Sequence, residues 1–263
     1  MEIVFVSAGL DPAMYARCIA ENQHAKRHRL VFFDNRIRDD GLPILYNRFL
    51  REFDYSRPAW IIFCHEDFQP LEDIEDYFEG LPTNSIYGPI GSRMNCAKSL
   101  RTPGGIWSCE NLGCIMQSRK DGSDIRMVGS LVEKGEEVDS LDCMCVAVHS
   151  SLVKEHNLLF DNRLDFDLYA EDFCASGFAN HGIATRILPF QCRHWSAGRR
   201  IEAPFLEKLR YLDRKYPSWE FASTTGYTFG LGRTFWRRMQ RKIIGAVAGF
   251  SPDAAQKIKH IFS

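Results

Sequence analysis

The 263-residue chain is short of several things, and each shortage narrows what it can be. No apolar run approaches the length of a transmembrane helix, which argues against a chain threaded through a bilayer. The net charge is -1, so no global electrostatic pull toward nucleic acid is expected. The nine cysteines are an odd number and form no CxxC pair, which argues against a disulfide framework or a cysteine-based zinc ribbon. Several sit in apolar runs, where Cys acts as a small hydrophobe, so reduced thiols and a reducing compartment are expected. MEIVFVSAG carries no basic segment of the kind that opens a signal peptide, and a cytoplasmic protein is expected. Internal repeats and low-complexity tracts are missing too.

What is present is an alternation. Ile3 to Val6, Leu30 to Phe33, Trp60 to Cys64 and SIYGPIG (85–91) are short apolar runs that read as strands. Between them DPAMYARCIAENQHAKRH, ILYNRFLREF and PLEDIEDYFEG have helical spacing or helix start and stop signals. This order predicts an α/β fold, a twisted mixed sheet, mostly parallel in its N-terminal half, flanked by helices. Further on, CIMQSRKDGSDIRMV predicts a hairpin around Asp121-Gly122-Ser123, LDCMCVAV and IATRILPF predict strands, and DLYAEDFCASGFANHG predicts a helix stopping at Gly182. CRHWSAG reads as a tight loop.

Three places concentrate chemistry. WIIFCHEDFQP runs from a buried strand straight into His65, Glu66 and Asp67, and LVFFDN ends on Asp34 and Asn35. In open α/β sheets ligands bind beyond the carboxyl ends of the strands, so two adjacent acid-tipped strands would share a crevice. An Asp there can bond a ribose or base, or hold a divalent cation through hard oxygen ligands. A solvated turn is the plainer account of either tip. Glu171 and Asp172 open a helix that is otherwise apolar, as a general base or as acids favoured by the helix dipole. His194-Trp195 follows a strand, with Arg193, Arg199 and Arg200 alongside as cationic donors suited to phosphate, or as a solvated basic loop.

Taken in order, FFDN, YNRFL, FCHED, VDSLDCMCVAV, YAEDFCASGFANHG and CRHWSAG resemble a glycosyltransferase of the GT-A fold, family 2-like, over roughly residues 1–200. The resemblance implies transfer of a sugar from a nucleoside diphosphate sugar to a glycan or lipid-linked acceptor, inverting and assisted by Mn²⁺ or Mg²⁺, in cell-surface glycan synthesis such as lipopolysaccharide. It makes Asp34 and Asn35 contacts to the nucleotide, Asp67 and His194 metal ligands, and Asp172, with Glu171 beside it, the general base. Asp142 opens the acceptor-side strand, and Arg193 faces the diphosphate. His65 stands where the first Asp of an Asp-x-Asp motif is expected, which leaves open which cation is used. The rival enzyme is a sugar nucleotidyltransferase, but SAGLDPAMYARC has one Gly and no Lys where that chemistry wants a glycine-rich basic loop. The other rival is a binding protein that kept the fold and lost catalysis.

Residues 201–263 form the expected C-terminal extension. No acid falls between Glu220 and Asp253, and Arg233, Arg237, Arg238, Arg241 and Lys242 interleave with apolar residues. A basic amphipathic helix over 232–247 is expected, packed on the domain or lying on an anionic membrane surface.

Overall fold

The computed structural model describes residues 1–38, 40–94, 109–196 and 203–230. The fold is α/β, with two mixed sheets flanked by helices. In the larger sheet β1 (Glu2–Gly9) runs parallel to β2 (Arg29–Asp34) on one side and to β3 (Ala59–His65) on the other. β3 then pairs antiparallel with β11 (Cys145–His149). Beyond it lie β5 (Ser85–Gly88), β12 (Ala184–Ile187) and β9 (Glu137–Val138), giving the order β2-β1-β3-β11-β5-β12-β9.

Alternation along the strands explains the two cores. Val4, Val6, Ile61 and Phe63 face one side, where they meet the helix Leu42–Glu52 through Leu45, Tyr46 and Phe49. Ile3, Phe5, Trp60 and Ile62 face the other, against Cys18, Ile19, Phe78 and Tyr87. Being covered on both faces, β1 and β3 read in sequence as unbroken apolar runs.

A smaller sheet carries the order β10-β6-β7-β13-β4, with β8 beside β7. Its members are β4 (Phe68–Pro70), β6 (Ile90–Met94), β7 (Cys109–Gln117), β8 (Arg126–Ser130), β10 (Ser140–Leu141) and β13 (Cys192–His194). The run expected as one strand over 85–91 is therefore two strands. β5 stays in the large sheet and β6 crosses to the small one, with only Pro89 between; proline lacks the N–H that a continuous ladder needs. β9 and β10 repeat the device, with only Asp139 between them. CRH, expected as loop, is strand β13, held by β4 on one side and β7 on the other. The expected helix over 70–80 shrinks to Glu75–Phe78, because Phe68–Pro70 is taken up as β4. The hairpin forms as expected, with the Asp121 carboxylate accepting from the Ser123 backbone N–H in its turn.

A thirteen-residue helix, Tyr169–His181, ends on Gly182 at φ 69°, the left-handed cap glycine adopts freely. Residues 203–230 add another helix, Ala203–Lys215, and a hairpin of β14 (Glu220–Ala222) and β15 (Thr228–Gly230). Phe205, Leu206, Leu209 and Leu212 of that helix and Phe221 and Phe229 of the hairpin join the same core as Val4 and Phe63. The expected basic helix over 232–247, Arg199 and Arg200 lie outside the described residues. Among the described residues no helix is long and apolar enough to cross a membrane.

Candidate active site

The carboxyl ends of β1 and β3 open into a cleft of about 750 Å³. Gly9 closes β1, and a Cβ there would meet Glu66 Oε2 at 1.0 Å, so glycine is what lets the Glu66 side chain lie across the strand end. Among the described residues five carboxylates line this space, those of Asp11, Asp40, Glu66, Asp67 and Asp165, against one cation, Lys120. Burial, then the neighbouring Asp67, pushes the Glu66 carboxyl up to about 7.

At the inner end His65, Asp67 and His194 converge, each offering one ligand atom within 4.8 Å of the others. Two strands deliver them. His65 ends β3, and His194 ends β13, whose pairing with β4 brings it beside the turn that holds Asp67. Asp67 Oδ1 stands 3.3 Å from His194 Nε2 and 4.0 Å from His65 Nδ1. That oxygen is buried, yet no well-formed hydrogen bond satisfies it. Burial opposes charge on both Asp67 and His194, but their contact prevails. Asp67 is held below the usual carboxylate range and His194 above the usual imidazole range. Burial lowers His65, which stays neutral at pH 7.

The donor set fits a cation. Two imidazole nitrogens and one carboxylate oxygen suit a divalent transition ion better than Mg²⁺ or Ca²⁺, which prefer all-oxygen sites. An orphaned buried carboxylate oxygen is also what an ion would satisfy.

The other expected site residues divide. Asn35 lines the cleft, buried, with its amide bonded to both the N–H and C=O of Asp40 at 3.0 and 2.8 Å. Asp34 does not line it; its carboxylate is exposed and paired with Arg36 at 2.6 Å. Arg193, one residue before His194 on a strand, projects to the opposite side, where its guanidinium contacts the Met116 sulfur and lies 4.7 Å from the Trp195 ring centroid. Asp142 holds the Met144 N–H and the Thr224 hydroxyl.

Glu171 and Asp172 are both buried, and neither lines the cleft. Asp172 is fully engaged: Lys215 Nζ reaches its two oxygens at 2.7 and 2.8 Å and the Tyr216 hydroxyl donates at 2.7 Å. Glu171 has only neutral donors, the Cys143 thiol at 3.0 Å and the Ser223 hydroxyl at 2.9 Å, and burial pushes it up to about 7. The residues not anticipated from sequence are Glu66, whose one signal was its place in the strand tip, and Lys215, Tyr216 and Ser223, whose distance along the chain gave none.

No family model and no curated protein sequence matches the chain. Among solved structures it is similar to S. aureus TarS residues 1–349, at 12% identity and TM-score 0.44, covering 80% of this chain and 64% of that one. The same TarS form in complex with UDP gives 11% identity, TM-score 0.46 and the same coverage. A longer TarS chain, of which this chain spans 44%, gives 10% identity and TM-score 0.48 over 95% of this chain. Mouse xyloside xylosyltransferase 1 in its apo form gives 10% identity and TM-score 0.33, covering 71% of this chain and 84% of that one. With every one of these TM-scores below 0.5, function rests on the geometry of the cleft itself.

Proposed function

We propose that this chain is a glycosyltransferase that moves a sugar from a nucleoside diphosphate sugar to an acceptor hydroxyl, with a divalent cation held by His65, Asp67 and His194. The observation that carries this is the cluster's position. It sits at the carboxyl end of β3, where His65 and Asp67 line a cleft whose described residues include five carboxylates and one lysine. A diphosphate entering such a cleft meets net negative charge and needs a counter-cation, which the cluster is built to hold. When bound, that ion would offset the charge on the departing diphosphate.

The chain's own residues supply the rest. Asn35 and the Asp40 backbone shape the nucleotide end. On the acceptor side, the proton acceptor is proposed to be Glu171. The resemblance gives that role to Asp172, but both Asp172 oxygens are already held by Lys215 and Tyr216. Glu171 does not line the cleft, so this role requires an acceptor hydroxyl to reach it from outside the cleft and take the place of the Cys143 or Ser223 donor; a pKa of about 7 suits a base. As that oxygen attacks the anomeric carbon, the bond to the diphosphate breaks and the proton passes to Glu171, with inversion at the carbon. The product class, a cell-surface glycan, rests on the sequence resemblance, and association with the inner face of the membrane rests on the basic, acid-free run over 232–247.

The test is a melting-temperature screen of UDP, GDP, ADP and CDP, each with Mn²⁺, Mg²⁺ or neither. A ligand at a hundred times its dissociation constant stabilises by about 2.7 kcal/mol. The expected result is stabilisation by at least one diphosphate with Mn²⁺ and little without it. If none stabilises under any condition, the proposal fails. Two histidines and one carboxylate also serve iron(II) oxygen chemistry, and the acid-lined cleft disfavours that rival only indirectly. Turnover that needs dioxygen and no sugar nucleotide would identify it.

A further inference from the structure

The hydroxyl of Tyr169 lies within hydrogen-bond distance of two groups. It donates to the Cys143 carbonyl at 2.7 Å and lies 3.0 Å from His65 Nε2. A carbonyl only accepts, so for both contacts to be hydrogen bonds the phenolic proton must go to Cys143, at the shorter distance. A hydrogen bond between His65 and the same oxygen then requires the proton on Nε2, which leaves Nδ1 as a bare lone pair. That lone pair faces Asp67 Oδ1 across 4.0 Å, too far for any hydrogen bond. Two acceptors thus confront each other with no proton between them.

We propose that Tyr169 is a positioning residue that locks His65 in the tautomer with a bare Nδ1, so that the cation site is assembled before a cation arrives. The inference rests on the cation reading above and adds to it the group that prepares one ligand. Packing holds both rings in place. Tyr169 is 1% exposed and sits edge-on to Tyr46 and Phe160, and Phe166 stacks on the His65 ring with centroids 5.2 Å apart and planes 24° apart. A ligand histidine whose second nitrogen donates to a fixed acceptor has its ring orientation and tautomer set in advance, and loss of such a partner typically weakens metal binding 10–100-fold. Here the acceptor is a phenol rather than a carboxylate. It fixes the tautomer without adding negative charge beside a cleft whose described residues already include five carboxylates.

Two measurements on the full chain test this. In metal-free protein at neutral pH, ¹⁵N NMR of labelled histidines, with His65→Gln to assign the signal, should show His65 protonated at Nε2 and bare at Nδ1. A proton on Nδ1, or on both nitrogens, overturns the proposal whether or not any variant folds. Mn²⁺ affinity read by electron paramagnetic resonance should fall 10–100-fold in Tyr169→Phe, and the His65 signal should shift toward a mixture of tautomers. Unchanged affinity overturns the proposal. So does weaker binding with the tautomer intact, since that marks a merely structural effect. If wild-type protein binds no Mn²⁺ at all, the cation reading falls and this inference with it, whereas a failure confined to Tyr169→Phe leaves the cation reading standing.

Discussion

Two clusters of buried charge flank Tyr169, and they are bonded in opposite ways. Around Asp172 every demand is met. Lys215 bridges Asp172 and Asp161, Tyr216 donates to Asp172, and Tyr211 donates to Asp161 at 2.5 Å. Around Asp67 the demand is left open, with a buried oxygen between two imidazoles and no bond of good geometry. Both clusters contain an acid that the sequence marks as functional. Saturated bonding is what a structural clamp needs, since an unpaired buried charge is costly. Unmet bonding in a cleft is what a ligand site needs, because the ligand supplies the missing partner. On this contrast we propose that Asp172 anchors the helix Ala203–Lys215 and that Asp67 serves chemistry.

The largest expected effect sharpens this division at its closest point, between neighbours. Glu171→Gln should lower transfer by about 10²–10⁴-fold while leaving nucleotide affinity nearly intact, since the loss belongs to the transition state. Initial rates and calorimetry on one preparation decide it. A Glu171→Gln variant with normal turnover would return the base role to Asp172. Next, Asp67→Asn should abolish Mn²⁺-dependent nucleotide binding and lower transfer by at least ~10²-fold, as loss of several kcal/mol of charge stabilisation implies. Its urea midpoint should fall, since its contact with His194 is lost, but by less than that of Asp172→Asn, because that 3.3 Å approach is the closer of its two imidazole contacts and is not a well-formed hydrogen bond. A large loss of stability would make the Asp67 cluster structural after all.

Asp172→Asn should do the reverse. It leaves Lys215 with Asp161 as its one remaining carboxylate, and about 3 kcal/mol of unfolding free energy is expected to go, the low end for a broken buried pair. Donor affinity should hold. Unchanged stability would break the comparison from its other side.

A smaller effect is the dependence on pH. Burial raises Glu171 from an ordinary value of 4.5 to about 7 in the folded chain. Between those values the folded state binds the extra proton, so this group makes stability fall as pH rises from about 4.5 to 7, with no further change above. Glu171→Gln should flatten that part of the profile, and transfer by the native chain should climb through pH 7 as the base ionises. Smallest of all is a null change in mass. The eight described cysteines are all free thiols, and protein purified without reductant should show nine, with no bound disulfide mass.

The sequence carried the frame well because the frame is local. β1 and β3 are apolar runs closed by charge, and the helix over Tyr169–His181 has its own stop at Gly182. Asp67 and His194 could be named singly for the same reason. What joins them is the β4–β13 pairing across more than a hundred residues, and three polar-looking residues, Cys192 to His194, give no periodicity by which to recognise a strand. Asp34 shows the converse limit. Its strand ends as expected, but Arg36 two residues on offers a partner in solvent, and the side chain turns outward. The clamp on Asp172 was hidden for a plainer reason, since Lys215 reaches it from 43 residues away.

The two one-residue joints, Pro89 between β5 and β6 and Asp139 between β9 and β10, also govern how the molecule comes apart. Each joint hands the chain from one sheet to the other with no slack. Neither sheet can therefore peel open while the other keeps its register. Independent foldons need a compliant connection, and none exists at these points. Hydrogen exchange under mildly denaturing conditions should release the slow amides of Ile86 and Gly91 together, through a single opening that dissolves both halves of the cleft at once.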